Sequence, residues 1–391
     1  MTKFYSIQIL VFVALGLVAW KRHDDVNDRP MMPALRDQPR EVGPLYDYPM
    51  AVTDQQLTEV LYKLRPRFNE QPTKVNFVDH AIRMWGKDAT FGDDSLSGPR
   101  MQELLLNHDA FESMWSAPAP LLQRSEGGIA VSTQVGRESV SHVDHLMGTL
   151  CEIGVPLSQP VKTANGDGRL GEIIEYGLNH FSLNQREYEW TSLATAFYAI
   201  DGQHWFTREG QAIDFDTFAS RLMRQQQPEG VCYGQHRLYT LTMLLRIDDQ
   251  MRDEGVTTLL TSQVRDQICD YLLVMNQRLL CSQAEHGYWD GNWPNASLPV
   301  PDPGTNELSR RILATGHVLE WWAMAPEELQ PPRESIIRAA QWLSREIIAM
   351  DETTIEKNFT FLSHAGRALA LWRGCLPADF LQRQEGKLAS R

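Results

Sequence analysis

The feature that most constrains this chain is a phrase that returns. An apolar helix pattern is broken near its beginning by one polar residue, as in "LATGHVLEWWAMA" (313–325), "YGQHRLYTLTMLL" (233–245) and "FLSHAGRALALW" (361–372). Taken as register marks, His80, His145, Glu189, His236, His317 and His364 are separated by 65, 44, 47, 81 and 47 residues. Three of these intervals fit a two-helix repeat of roughly 45 residues. The two long ones carry insertions, "GGIAVSTQVGRES" in one and "GYWDGNWPNASLPVPDPG" in the other. The first reads as a short hairpin, and "HWFTREGQAIDF" after Ile200 reads as a second.

Between the apolar helices lie amphipathic ones. Val264, Ile268, Leu272, Met275 and Leu279 keep helical spacing among polar residues, and so do Ile336, Ala340, Leu343 and Ile347. A helix of this kind buries one stripe and wets the other, whereas a helix that is apolar all round is covered on several sides. Alternation of the two kinds predicts an outer and an inner layer. Six such pairs predict an all-α fold, an (α/α)6 toroid with short hairpin insertions. An open solenoid would need polar terminal repeats, and the last apolar helix is as apolar as the central ones.

The phrase "QAEHGYWDGNW" places Gln283, Gly287 and Trp289 at the spacing of a signature that ends outer helices in the terpenoid cyclase and protein prenyltransferase toroids. The body, about residues 52 to 375, resembles that superfamily. The resemblance implies the fold. It does not carry the chemistry, because the acidic DxDD motif of squalene-type cyclases is absent. "TGHVLEW" is similar to a "GHxxEW" phrase of N-acylglucosamine 2-epimerase relatives, and "CYG" with "SHAG" is similar to zinc-binding phrases of lanthionine cyclases, although Ser363 stands where such a site needs cysteine.

In a toroid the inner helices open together at one mouth, so the register marks predict a funnel. His145, Glu189, His236, His317, Glu320 and His364 are the candidate catalytic groups, with Glu320 one turn beyond His317 and placed to orient it and raise its basicity. His80, His142, Asp144, Trp190, Tyr239 and Trp321 are the candidate ligand-binding groups, the aromatics suiting a sugar face or an isoprenoid. His142 and His145 offer two metal ligands on one helix face, but a third is not identifiable, so no metal and no cofactor is assigned. The expected partner is a small-molecule or glycan-like ligand of carbohydrate or isoprenoid type. The alternative is a non-catalytic helical-repeat scaffold for protein interaction.

Charge and composition narrow the partners. A formal net charge of -13 repels nucleic acid, and the five cysteines show no paired spacing. Phe4 to Trp20 is an uncharged apolar run of about 25 Å if helical, a short membrane anchor or signal. Lys21 and Arg22 after it favour a cytoplasmic body by the positive-inside rule, while its signal-like length favours export, and an extracytoplasmic body on a single-pass anchor is the expectation. The chain then divides into an anchor or signal (1–22), a proline- and charge-rich linker (23–50), the helical domain (51–376) and a polar tail (377–391). The oligomeric state is left open.

Overall fold

A computed structural model describes Val13 and residues 32–67, 74–116, 119–227, 232–295 and 307–389. Apart from Val13, the expected anchor lies outside the described residues. Among those residues no helix is long and apolar enough to cross a membrane.

The described chain is mainly helical. Its helices are α1 (Asp54–Lys63), α2 (Val75–Trp85), α3 (Gly98–Leu106), α4 (His108–Trp115), α5 (His145–Glu152), α6 (Gly171–His180), α7 (Glu189–Tyr198), α8 (Phe215–Arg224), α9 (Gln235–Asp253), α10 (Ser262–Ser282), α11 (Glu307–Met324), α12 (Arg333–Ala349), α13 (Glu352–Leu371) and α14 (Pro377–Ala389). Three antiparallel hairpins interrupt them: β1 (Leu122–Ser125) with β2 (Gly128–Val131), β3 (Pro160–Thr163) with β4 (Gly166–Arg169), and β5 (Trp205–Phe206) with β6 (Ala212–Ile213). The first and third fall in or beside the expected stretches. The middle one was not foreseen; it turns through Ala164 and Asn165, with Gly166 opening the second strand at φ +140°.

Burial sorts the helices as the pattern does. Every residue of α7 is buried, whereas α10 buries only the stripe Val264, Ile268, Leu272, Met275, Asn276 and Leu279. The buried helices touch in sequence: α2 packs on α5, α5 on α7, α7 on α9, α9 on α11, α11 on α13, and α13 returns to α2. Outside them α1 packs against α12 and α13, so the first helical pair meets the last. Glycine permits the tightest approach. A Cβ on Gly316 of α11 would lie 3.0 Å from the Ala365 backbone nitrogen on α13, and one on Gly366 would strike Met84 at 2.6 Å.

The Gln283, Gly287, Trp289 phrase works as a clasp between α10 and α12. Gln283 donates to the carbonyls of Gly287 and Ser335, each at 2.9 Å, and the Trp289 indole donates to the Leu279 carbonyl at the end of α10. Gly287, at φ +106°, sits so close to the Arg338 carbonyl that a side chain there would collide.

Two terminal expectations change. Residues 32–50, expected as a linker, form an extended strap across the C-terminal ends of the buried helices. Arg36 and Arg40 donate their backbone N–H groups to Tyr198 and Phe197, Tyr48 to Trp372, and the Tyr46 hydroxyl donates to the Ala325 carbonyl at 2.6 Å. The last carbonyls of a helix have no partner within it, and the strap supplies donors. The expected polar tail holds the helix α14, which packs on α13 and α1.

Candidate functional site: a histidine-lined mouth

The ring centroids give the site its shape. His317 lies 3.9 Å from His364 and 4.6 Å from His236; His236 lies 5.7 Å from His142; His142 lies 6.0 Å from His145; and His80 lies 4.5 Å from His145 and 5.2 Å from His364. Six histidines from five regions of the chain therefore form one cluster. Trp190 closes it, edge-on to His145 at 4.5 Å and to His236 at 4.8 Å. The sequence places these residues at the starts of helices. That holds for His145 and His236, but α11 and α13 begin at Glu307 and Glu352, well ahead of His317 and His364. What the marks share is one level across the packed buried helices.

Carboxylates hold several of the imidazoles by Nδ1. His145 pairs with Asp79, His142 lies 3.3 Å from Glu187 Oε2, and Glu320 Oε2 lies 3.4 Å from His317 and 3.2 Å from His364. The opposite nitrogens, Nε2 of His145, His317 and His364, have no hydrogen-bond partner, nor has either nitrogen of His236. All four rings are buried. Burial, with neighbouring histidines, holds His80, His236 and His364 well below the usual imidazole range. Burial also lowers His317, but Cys232 and Glu320 outweigh it and the group is raised.

Cys232 is the residue the sequence reading undervalued. Its φ is +48°, that of Tyr233 is +60° and that of Gly234 is +75°, a run of left-handed backbone just before α9 that is uncommon outside glycine. The Trp293 indole, donating to the Tyr233 carbonyl at 3.0 Å, holds the run in place. Burial raises the Cys232 thiol, but His317 and His142 overcome this and bring it down to about 6. His142 is lowered by burial and raised by its bonds to Cys232 and Glu187, reaching about 10. Thiolate, imidazolium and carboxylate thus stand in line, the order in which a nucleophile, a base and an orienting group are arranged.

One turn deeper lies a second layer. Arg83 contacts Glu320 at 2.7 Å and Glu152 at 2.6 Å, Arg367 contacts both of the same acids, and Tyr239 donates to Glu152. These five side chains are almost wholly buried. Burial raises Glu320, yet Arg83 and Arg367 hold it well below the usual carboxylate range. Glu320 is therefore a fixed anion that orients two histidines and does not donate a proton. Tyr239, expected to wall the cavity, belongs to this deeper layer.

Three expected site residues point elsewhere. Glu189 turns to Arg237, 3.8 Å away, and accepts from the Tyr188 backbone. Asp144 accepts from Thr191 at 2.5 Å, and burial raises its carboxyl. Trp321 is buried beside Trp322. Glu187, the partner of His142, precedes α7.

Above the cluster opens a cavity of about 550 Å³, reached by His80, His142, Cys232 and His364. Its wall carries Lys74, Arg137 and Lys357, with Asn76, Gln134, Ser139 and Asn358, and no carboxylate among the described residues. Such a lining suits a polar or anionic ligand, and the unpaired nitrogens below could hold a metal ion or exchange protons. No protein-family model, curated protein or solved structure matches the chain.

Proposed function

We propose that the chain is an (α/α)6 toroid, tethered to a membrane by its N-terminal segment, whose histidine-lined mouth binds and transforms a small polar ligand of carbohydrate class. The circuit of contacts through α2, α5, α7, α9, α11 and α13 supports the toroid. The observation that carries the ligand site is the convergence of six histidines, four with unpaired buried nitrogens, beneath a cavity of about 550 Å³. Isoprenoid diphosphates fit less well: among the described residues the cavity wall offers no carboxylate to hold the magnesium that accompanies them. A sugar bearing an acid or phosphate group meets Lys74, Arg137 and Lys357 at the wall and imidazoles at the floor. His142 with Cys232, and His317 oriented by Glu320, are the groups placed for proton transfer or nucleophilic attack.

The test is a thermal-shift screen of neutral and acidic sugars, sugar phosphates and isoprenoid diphosphates against the chain lacking residues 1–22. Hits are then measured on His80→Ala, His142→Ala and His364→Ala. A sugar-class hit weakened at least about tenfold by each change supports the reading. Hits that bind all three variants as they bind the parent place the ligand elsewhere. No hit in any class, with a bound protein partner instead, favours the scaffold.

A further inference from the structure

We propose that His236, His317 and His364 form a three-imidazole site for a divalent transition-metal ion of the zinc class, beside the cavity that His364 reaches. This rests on the reading of the histidine mouth as a ligand site and goes beyond it by naming the ion.

The case begins with an accounting of buried nitrogens. A neutral imidazole carries one donor and one acceptor, and a buried one satisfies both. Here His236 satisfies neither, and His317 and His364 each leave Nε2 unpaired, although all three rings are buried. Each of the three rings offers one nitrogen within 4.8 Å of those of the other two. Buried imidazole nitrogens without partners, gathered this closely, are costly as they stand and are what a cation would use.

The surroundings agree. Histidines that ligate metals commonly hold their other ring nitrogen against a carboxylate, which fixes the ring and its tautomer. Glu320 does this for two of the three, accepting from His317 and His364 with one oxygen while Arg83 and Arg367 grip the other. The ring positions are fixed from behind as well, by the contact of Gly316 with the Ala365 backbone that brings α11 and α13 together. Two other groups of donors lie close by, Asp79 with His80 and His145, and His142 with Cys232 and His236. In the first, His145 already pairs with Asp79; in the second, His142 and Cys232 are half-exposed and paired with each other. All three members of the His236, His317, His364 set are buried and each keeps at least one nitrogen without a hydrogen-bond partner, although the Cys232 thiol also acts on His317. Imidazole donors suit zinc, nickel, copper or iron and exclude calcium and magnesium, and three protein ligands leave room for an oxygen of the ligand above.

The test uses the chain lacking residues 1–22, stripped with a chelator and titrated with Zn²⁺ against a competing chromophoric chelator. One ion per chain with Kd at or below about 1 µM is expected. His236→Phe, His317→Ala and His364→Ala each weaken it at least 100-fold, while His204→Ala, on the exposed surface, leaves it unchanged. Co²⁺ in place of zinc gives visible absorption of a four- or five-coordinate imidazole site in the parent chain, a result independent of whether every variant folds. Absence of stoichiometric binding, or variants that bind as the parent does, overturns the ion site. If zinc fails yet a sugar-class ligand still raises the melting temperature, only the ion is wrong; if both fail, the mouth is not a ligand site.

Discussion

The two ends of the packed buried helices are built on opposite rules. At one end lie the histidines, with ring nitrogens unpaired, left-handed backbone at Cys232 and an open cavity. At the other, residues 38–44 of the strap help line a cavity of about 760 Å³, and the helix-end carbonyls of Phe197, Tyr198, Ala325 and Trp372 receive hydrogen bonds from the strap. Between them, Arg83, Arg367, Glu152, Glu320 and Tyr239 satisfy one another. Single unpartnered buried atoms occur elsewhere, on Arg40, Arg65 and Arg367 for example, but at the histidine end several imidazole nitrogens lack partners side by side. Unpartnered buried groups cost stability, so this gathering of imidazoles marks a place where stability has been given up for something else.

The largest test of this contrast is removal of the strap. Truncation of residues 1–22 leaves it whole and should not change the melting temperature. Truncation of residues 1–50 removes the backbone bonds joining the strap to Leu157, Phe197, Tyr198, Ile200 and Trp372. At about 1 kcal/mol for each, the loss is on the order of 5 kcal/mol by urea denaturation. Equal stability of the two truncations would show that the strap is the linker its composition resembles.

Next in size is the layer between the mouths. Glu320→Gln keeps the shape but leaves Arg83 and Arg367 sharing Glu152 as their remaining carboxylate. Breaking a buried ion pair by removing one partner costs about 3–5 kcal/mol, so this change should lower stability by that amount and loosen His317 and His364 together. The histidine mouth should respond in the opposite way. His236→Phe keeps ring volume and replaces two unpaired nitrogens with carbon, so stability of the metal-free chain should hold steady or rise by about 1–3 kcal/mol while ligand binding disappears. A loss above about 2 kcal/mol would mean that His236 has a structural partner and that the two mouths differ less than described.

The histidine level was legible because parallel buried helices repeat with a period, and a period survives in sequence. The deeper layer was equally legible and was only half read. Arg83, Tyr239, Glu320 and Arg367 each follow a cluster histidine by three residues, His80, His236, His317 and His364 respectively, which is one turn along each helix. Only the Glu320 and Tyr239 members were picked out, and Tyr239 was given the wrong neighbours. Asp144 and Glu189 misled because adjacency in sequence does not fix which side of a helix start a carboxylate faces. Cys232 stood out only as part of the phrase "CYG", because its positive φ and its place beside His142 and His317 are encoded by no periodicity. The strap was misread because backbone hydrogen bonds leave no trace in composition, and prolines with charges describe an extended segment whether it is free or docked.

The smallest expected effect concerns a single bond of the strap and its dependence on pH. Tyr46 donates its hydroxyl proton to the Ala325 carbonyl at the end of α11, and its ring stacks on Trp372 at 5.6 Å. Burial, against the opposing pull of Arg246, pushes its ionisation up to about 12 from an ordinary value near 10. The sign follows from which form the fold prefers. A folded-state value above the unfolded one means that the protonated phenol is stabilised by folding, so the contribution is complete below about pH 10 and is lost as pH rises toward 12. The far mouth should therefore loosen first in alkali. Melting temperature measured from pH 8 to 11.5 should fall less steeply above pH 10 in Tyr46→Phe than in the parent, with a lower starting point because the bond to Ala325 is gone. Parallel curves would show that the phenol titrates alike in both states, and that the strap is held at this point by the stacking on Trp372 and not by the hydroxyl.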